Sequence, residues 1–404
     1  MTVPSVQPSV HFDQAQAILT LQKMIRQDSR TMTLNEASLA ELLVDDMQSM
    51  GLEAQVQRFD GGRANAIGIW RGTGAGESLM FNGHVDTNPL TNGWTTDPWG
   101  AEIHDGFIYG LGVSNMKAGC SSYLEAVRAL RTSGYTPRGD VILTFVVGEL
   151  QGGAGTKALI DAGYRADHFI NCEPTDLSAM TTHAGAAQFT ISLTGSTRHM
   201  SKREEAGDAL AAASVLVGKI NDLIVSDGTP LDEAVGRSHI GVIKAGLGDD
   251  FLESRPPQVA DRAILRGSLR YGPGVSSKHA LGTLSDLVER VCREFPGVTG
   301  AVTCDDDPNG TFDVAFSVPN GSAVVQAVNS AYEAVRGKAQ PTGAIRPYCF
   351  YGSDASLLQS RAGMSGVVCG PGGKYNTMPD ERVELVDYLD MIEIHARAIQ
   401  GLCS

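Results

Sequence analysis

Three short apolar runs, each broken off by a small polar cluster, constrain this chain more than any other feature. Leu79–Phe81 leads into Gly83, His84 and Asp86. The nearly all-apolar Asp140–Val147 leads into Gly148 and Glu149, and Phe169–Cys172 into Glu173 and Pro174. Runs of this length bounded by glycine or proline read as buried strands. A buried strand that stops at polar residues delivers them to the carboxyl edge of a sheet, where α/β proteins carry their sites. His84, Asp86, Glu149 and Glu173 are therefore expected at one edge. On extended backbone His84 and Asp86 share a face. Asp86 can then accept from one imidazole nitrogen and fix the tautomer, leaving the other nitrogen for a proton or a metal.

A chain of 404 residues is too long for one simple core, so two domains are expected. Its 32 basic against 46 acidic residues give a net charge of −14 with no basic cluster, which argues against nucleic acid and anionic membranes as partners. Seven scattered cysteines without a C-x-x-C pair fit reduced thiols and a cytoplasmic location. The N-terminal stretch lacks the basic and apolar regions of a signal peptide, and no apolar run is long enough to span a bilayer.

Periodicity predicts helices over Gln14–Arg26 and Asn35–Met50, strands over Gln55–Phe59, Ala64–Trp70 and Ser78–Phe81, and a long loop with a hairpin over Trp94–Gly112. A helix over Met116–Thr132, capped by Ser114 or Asn115, precedes the second strand-end cluster, and a helix over Thr156–Ala162 follows it. From Phe189 the order becomes β-α-β-β-α-β, ending at Val298–Cys304: a self-contained ferredoxin-like unit. The domains expected are thus residues 1–187 with 314–404, and an inserted unit over 188–313. After the insertion come a helix over Ser322–Arg336, a turn at Gly352–Ala355, a strand over Gly366–Cys369 and a last helix over Leu385–Gly401.

Taken together, the motifs GHVD (83–86), WTTDPW (94–99), DGFIYGLG (105–112), NMKAG (115–119), GELQGGAGT (148–156), CEP (172–174), HMS (199–201), LRYGPG (269–274), GSDA (352–355) and GPGGKYNTMPDE (370–381) run through nearly the whole chain. In order and spacing the chain resembles the dinuclear zinc exopeptidases and deacylases, among them acetylornithine deacetylase, succinyl-diaminopimelate desuccinylase, carboxypeptidase G and aminoacylase. The resemblance implies a three-layer α/β/α catalytic domain with an inserted ferredoxin-like dimerisation, or lid, domain, and a homodimer.

It also implies two zinc ions that share a bridging carboxylate and a water, beside a glutamate that moves protons. His84 and Glu173 match two ligands of one metal, and Glu149 matches the general base. The bridging aspartate is Asn115 here. The second metal's remaining ligands, a glutamate and a histidine, are Leu150 and Asn376. Leucine cannot ligate zinc, and asparagine is a weak neutral donor. His199 of the HMS motif matches a histidine that reaches the partner subunit's site and stabilises the oxyanion, although Arg203 stands where a proline is usual. Arg270 matches an arginine that binds a substrate carboxylate. His104, His183 and Asp354 match less decisive positions.

The expectation is a metal-independent enzyme on a hydrolase fold, with no cofactor. Glu149, His84, Asp86 and His199 are the catalytic candidates; Asn115, Glu173, Asn376 and Arg270 are the substrate-binding candidates. The substrate is a small amide, an N-acyl amino acid or another amino-acid derivative, and cyclisation, condensation or elimination fits as well as hydrolysis. One zinc held weakly by His84 and Glu173 in an amidohydrolase is the alternative. A non-catalytic binding or regulatory subunit is a third reading, disfavoured because a receptor has no need of a base.

Overall fold

The computed structural model describes residues 10–33, 35–253, 256–304 and 314–404. The N-terminal residues 1–9 and the expected domain boundary at residue 313 lie outside the described residues. The chain forms two compact units. One comprises Met1–Thr182, Ser317–Tyr348 and Ser353–Ser404; the other comprises His183–Phe316 with Cys349–Gly352.

The first unit is built on an eight-stranded sheet. From edge to edge its strands are Glu53–Arg58, Ala64–Trp70, Val141–Val146, Leu79–His84, His168–Asn171, Ser365–Val368, Ala179–Met180 and Thr342–Gly343. The four strands from Val141–Val146 to Ser365–Val368 are mutually parallel, and the first two are antiparallel. All six residues of both Val141–Val146 and Leu79–His84 are buried, as expected where helices cover both faces of a parallel sheet. Alternate side chains of Leu79–His84 show the three layers. Phe81 stacks on Tyr123 at 5.3 Å and meets His395 at 4.9 Å, from helices Ala118–Thr132 and Leu385–Leu402. Asn82 points the other way, to the Thr156 hydroxyl of helix Ala154–Asp161 at 3.3 Å.

Register brings the strand ends level. His84 pairs with Val146, and Asn82 with Asn171, so the residues just beyond Val146 and Asn171 emerge beside His84. One local expectation is corrected. The helix expected from Met116 starts at Ala118, because Asn115 (φ −118°, ψ 89°) and Met116 (φ −139°, ψ 36°) leave helical geometry, so Asn115 is not its N-cap. The turn at Gly352–Ala355 runs straight into a helix, Ala355–Ser360, with Asp354 at its N-terminus.

In the second unit the sheet order is Arg237–Gly246, Arg262–Tyr271, Gly185–Thr194, Thr299–Cys304, with every neighbour antiparallel. Helices Ala209–Asn221 and Ser277–Glu294 pack on one face. Phe189, Ile191 and Leu193 point into that core at every second position. This is the ferredoxin-like arrangement that the strand and helix order implied. A short helix, Pro230–Val235, precedes the second strand; its Thr229 cap accepts from the Asp232 amide.

Candidate active site

Five of the sequence-selected residues converge in the first unit. His84, the last residue of its strand, is buried. Its Nδ1 lies 2.9 Å from the Asp86 carbonyl oxygen and 3.5 Å from Asp86 Oδ1. Its Nε2 lies 3.1 Å from Asn115 Oδ1, 3.6 Å from Glu173 Oε1 and 4.0 Å from Glu149 Oε2. Both ring nitrogens therefore face oxygen acceptors, an arrangement that a doubly protonated imidazolium satisfies best. Glu149 is presented by a single tight turn, Glu149–Gln151, between Gly148 (φ 85°) and Gly152 (φ 73°). Gly148 has a second reason to be glycine: a Cβ there would stand 2.7 Å from an Arg63 nitrogen.

The charges explain one another. Burial alone would lower the His84 pKa, but the carboxylates of Glu173, Asp86 and Glu149 outweigh it and raise it well above the ordinary value. Burial works to raise Asp86, yet the imidazole it faces, with Arg63 beyond, holds it below the usual carboxylate range. Burial and the neighbouring Glu173 push Glu149 well up. Glu173 itself rises to about 7 through burial, against the pull of His84. Asp354 rises to about 6, again chiefly by burial, opposed by the Thr156 hydroxyl and His84. An acid whose pKa sits near neutrality can both accept and return a proton at working pH.

The remaining candidates sit on other elements. Asn376 is half-buried on the loop after Tyr375, and its side chain makes no hydrogen bond among the described residues. Leu150 is half-buried on the same tight turn as Glu149. His199 and Arg270 belong to the second unit. His199 is exposed and accepts from the Ser201 amide through Nδ1. Arg270 lies on a central strand, opposite Ala186 and Arg237. Buried His183 is held at about 4 by burial, with Arg270 adding to the effect. His104 is exposed and stacks on Tyr109 at 4.1 Å.

Sequence reasoning assigned no role to Arg63, Lys117 or Glu381. Arg63 donates to Glu36 at 2.8 Å and to Gln151 at 3.2 Å, behind Asp86 and the Glu149 turn. Lys117 is fully buried and is lowered to about 8 by that burial. Glu381 is buried and raised to about 7 for the same reason. A lysine and a glutamate inside conspicuous motifs were the only signal available.

The donor set does not suit a metal pair. Asn115 and Asn376 offer only neutral amide oxygens, and Leu150 offers nothing, where two cations need a shared carboxylate and anionic or imidazole ligands. One cation is a different matter: donor atoms of His84, Glu149 and Glu173 lie within 4.8 Å of one another and are types that zinc accepts.

Residues 80–401 match the family model for peptidase family M20/M25/M40. The chain is 26% identical over 404 aligned residues to a succinyl-diaminopimelate desuccinylase of Rhodospirillum rubrum, covering 92% of this chain and 95% of that protein. It is 32% identical over 214 residues to succinyl-diaminopimelate desuccinylase 2 of a Ruegeria species, a match spanning about half of each chain (50% and 53%). The fold is similar to that of aminopeptidase PepT from Bacillus cereus, with a TM-score of 0.78 at 20% identity, covering 97% of this chain and all of that one. With its strand-end cluster and this match over most of its length, the chain belongs to peptidase family M20/M25/M40 and is an enzyme of the amidohydrolase/peptidase fold.

Proposed function

We propose that this enzyme works without a metal pair, using Glu149 as the general base and His84, oriented by Asp86, as a buried cation and proton donor. The observation that carries this reading is the 3.1 Å contact from His84 Nε2 to Asn115 Oδ1: a neutral amide faces the imidazole where the family's metals would share a carboxylate. Glu149 takes a proton from water or from a substrate N–H, and burial beside Glu173, by raising its pKa, makes it a stronger base than an exposed carboxylate. The imidazolium faces negative charge developing on a carbonyl oxygen, and Glu173 shares the released proton. The substrate is a small amide or N-acyl amino acid. The relatives are named for removing a succinyl group from an amino acid, and the fold neighbour for cleaving at a peptide N-terminus. Asn115 and Asn376 bind the amide, and Arg270 the substrate carboxylate. The chain acts as a homodimer in which the inserted unit carries His199 to the partner's site.

Hydrolysis is one outcome of this chemistry. Cyclisation, condensation or elimination needs only the same proton transfers. The 4.8 Å cluster of His84, Glu149 and Glu173 supports a second reading, an amidohydrolase holding one zinc, in which Glu149 would serve as ligand rather than base. Metal analysis separates the two. Protein purified without added zinc should carry well under one zinc per chain and keep its activity and melting temperature in chelator. One tightly bound zinc per chain, with activity lost to chelator and restored by zinc, favours the second reading.

A further inference from the structure

The hydrogen bonds around Glu381 give this glutamate a task that the cluster itself does not explain. Its carboxylate is buried, with three backbone amides pointing at it. One oxygen accepts from Ser114 N at 2.8 Å and Asn115 N at 3.0 Å, and the other from Gly112 N at 3.1 Å. These donors need such a partner. They lie ahead of helix Ala118–Thr132, with Gly112 left-handed at φ 76° and Asn115 out of helical geometry (φ −118°, ψ 89°), and their N–H groups go to Glu381 instead of a helical ladder. Gly112 has no room for a side chain, because a Cβ there would meet Thr87 Cγ2 at 2.2 Å. The buried Lys117 ammonium, which donates to the Gln27 carbonyl at 2.9 Å, supplies a compensating charge nearby.

We propose that Glu381 is a positioning residue for the site: by gripping the Gly112–Asn115 turn it aims the Asn115 amide oxygen at His84. Asn115 is then held at two points, its backbone N–H on Glu381 and its side-chain oxygen on the imidazole. The preceding residue, Asp380, does a parallel job on another loop. It accepts from the amides of Thr95 and Thr96 at 2.8 and 3.0 Å and from their hydroxyls at 2.7 and 3.0 Å. Two adjacent acids thus tie two separate loops to one strand entry, and only Glu381 bears on His84.

The test uses the full chain labelled with ¹⁵N-histidine, the His84 ring signals being assigned by their loss in His84→Gln. In Glu381→Gln an NH₂ group replaces one acceptor and confronts a backbone N–H, so Asn115 swings away and the His84 Nε2 resonance should shift by several parts per million. Asp380→Asn should leave that resonance in place, even where it lowers the melting temperature as much. An unmoved His84 signal in Glu381→Gln, or an equal shift in Asp380→Asn, overturns the proposal. If Glu381→Gln does not fold, hydrogen exchange of the unaltered protein decides. The amides of Gly112, Ser114 and Asn115 should exchange at least ~100-fold slower than an open loop, and unprotected amides there overturn it. Both measurements are made on metal-free protein without substrate, so failure here leaves the reading of Glu149 untouched.

Discussion

His84 and Glu173 stand at the ends of adjacent parallel strands, buried, whereas Leu150 and Asn376 sit on loops and are half-buried. The first pair has the residue types that the family's metal chemistry uses; the second pair does not. Beneath the strand ends lies a buried polar network in which Asn171 donates to Asn82 at 2.9 Å, and Asn82 to Thr144 at 3.2 Å. A change at a strand end disturbs that network and the sheet register, and leaving buried partners unpaired costs about 1–3 kcal/mol per group. A change on the loops disturbs neither. The difference teaches that an α/β fold can keep its sheet register and its strand-end acids while the residues on its loops are free to change.

The largest expected effect tests the strand-end half. Glu149→Gln should lower turnover by about two to four orders of magnitude, the usual weight of a positioned general base. The measurement is kcat on a panel of N-acyl amino acids and dipeptides. Undiminished turnover would show that the base has been assigned wrongly.

Next in size is an attempt to reverse the loop half. Combining Asn115→Asp, Leu150→Glu and Asn376→His should raise bound zinc toward two ions per chain, measured by elemental analysis after dialysis. Leu150→Glu alone should add little, since one ligand without the bridging carboxylate makes no site. A triple variant that binds no more zinc than the parent would break the comparison, because the loop positions would then not be the lost ligands.

A smaller effect appears in stability against pH. Glu173 and Asp354 have folded-state pKa values of about 7 and about 6, above their ordinary values, and His84 is also raised. Between each ordinary and raised value the folded protein binds more protons than the unfolded chain. Stability is therefore lost as pH rises through that window. The metal-free protein should melt a few degrees higher near pH 5.5 than near pH 8, and Glu173→Gln should flatten the slope by removing the buried charge. A cluster that holds zinc gives the opposite trend, since ligands must shed protons to bind. Calorimetry at the two pH values distinguishes them.

The smallest stability effect belongs to His199, which is exposed on the second unit. His199→Ala should move the melting temperature by no more than about 1 °C, as surface changes usually do. Turnover should nevertheless fall about ten-fold or more if its imidazole serves the reacting group. Unchanged turnover would confine the chemistry to the first unit.

Periodicity and punctuation alone determined the strand-end residues. An apolar run that stops at Gly83, Gly148 or Pro174 announces both the strand and the edge where its polar residues emerge, and this information is local. The same local pattern misread Asn115 as a helix cap, since a polar residue ahead of a helix has that meaning by default. Only the tertiary structure decided that Asn115 leaves helical geometry and faces His84, because the carboxylate that holds its amide lies 266 residues further along the chain. Asp354 joins the cluster, and Arg63 comes to lie behind Asp86, by the same kind of long-range contact. The physical reason is that side-chain spacing reports which residues share a face. Which distant group satisfies a buried amide or sets a neighbour's charge is settled only when the chain has packed.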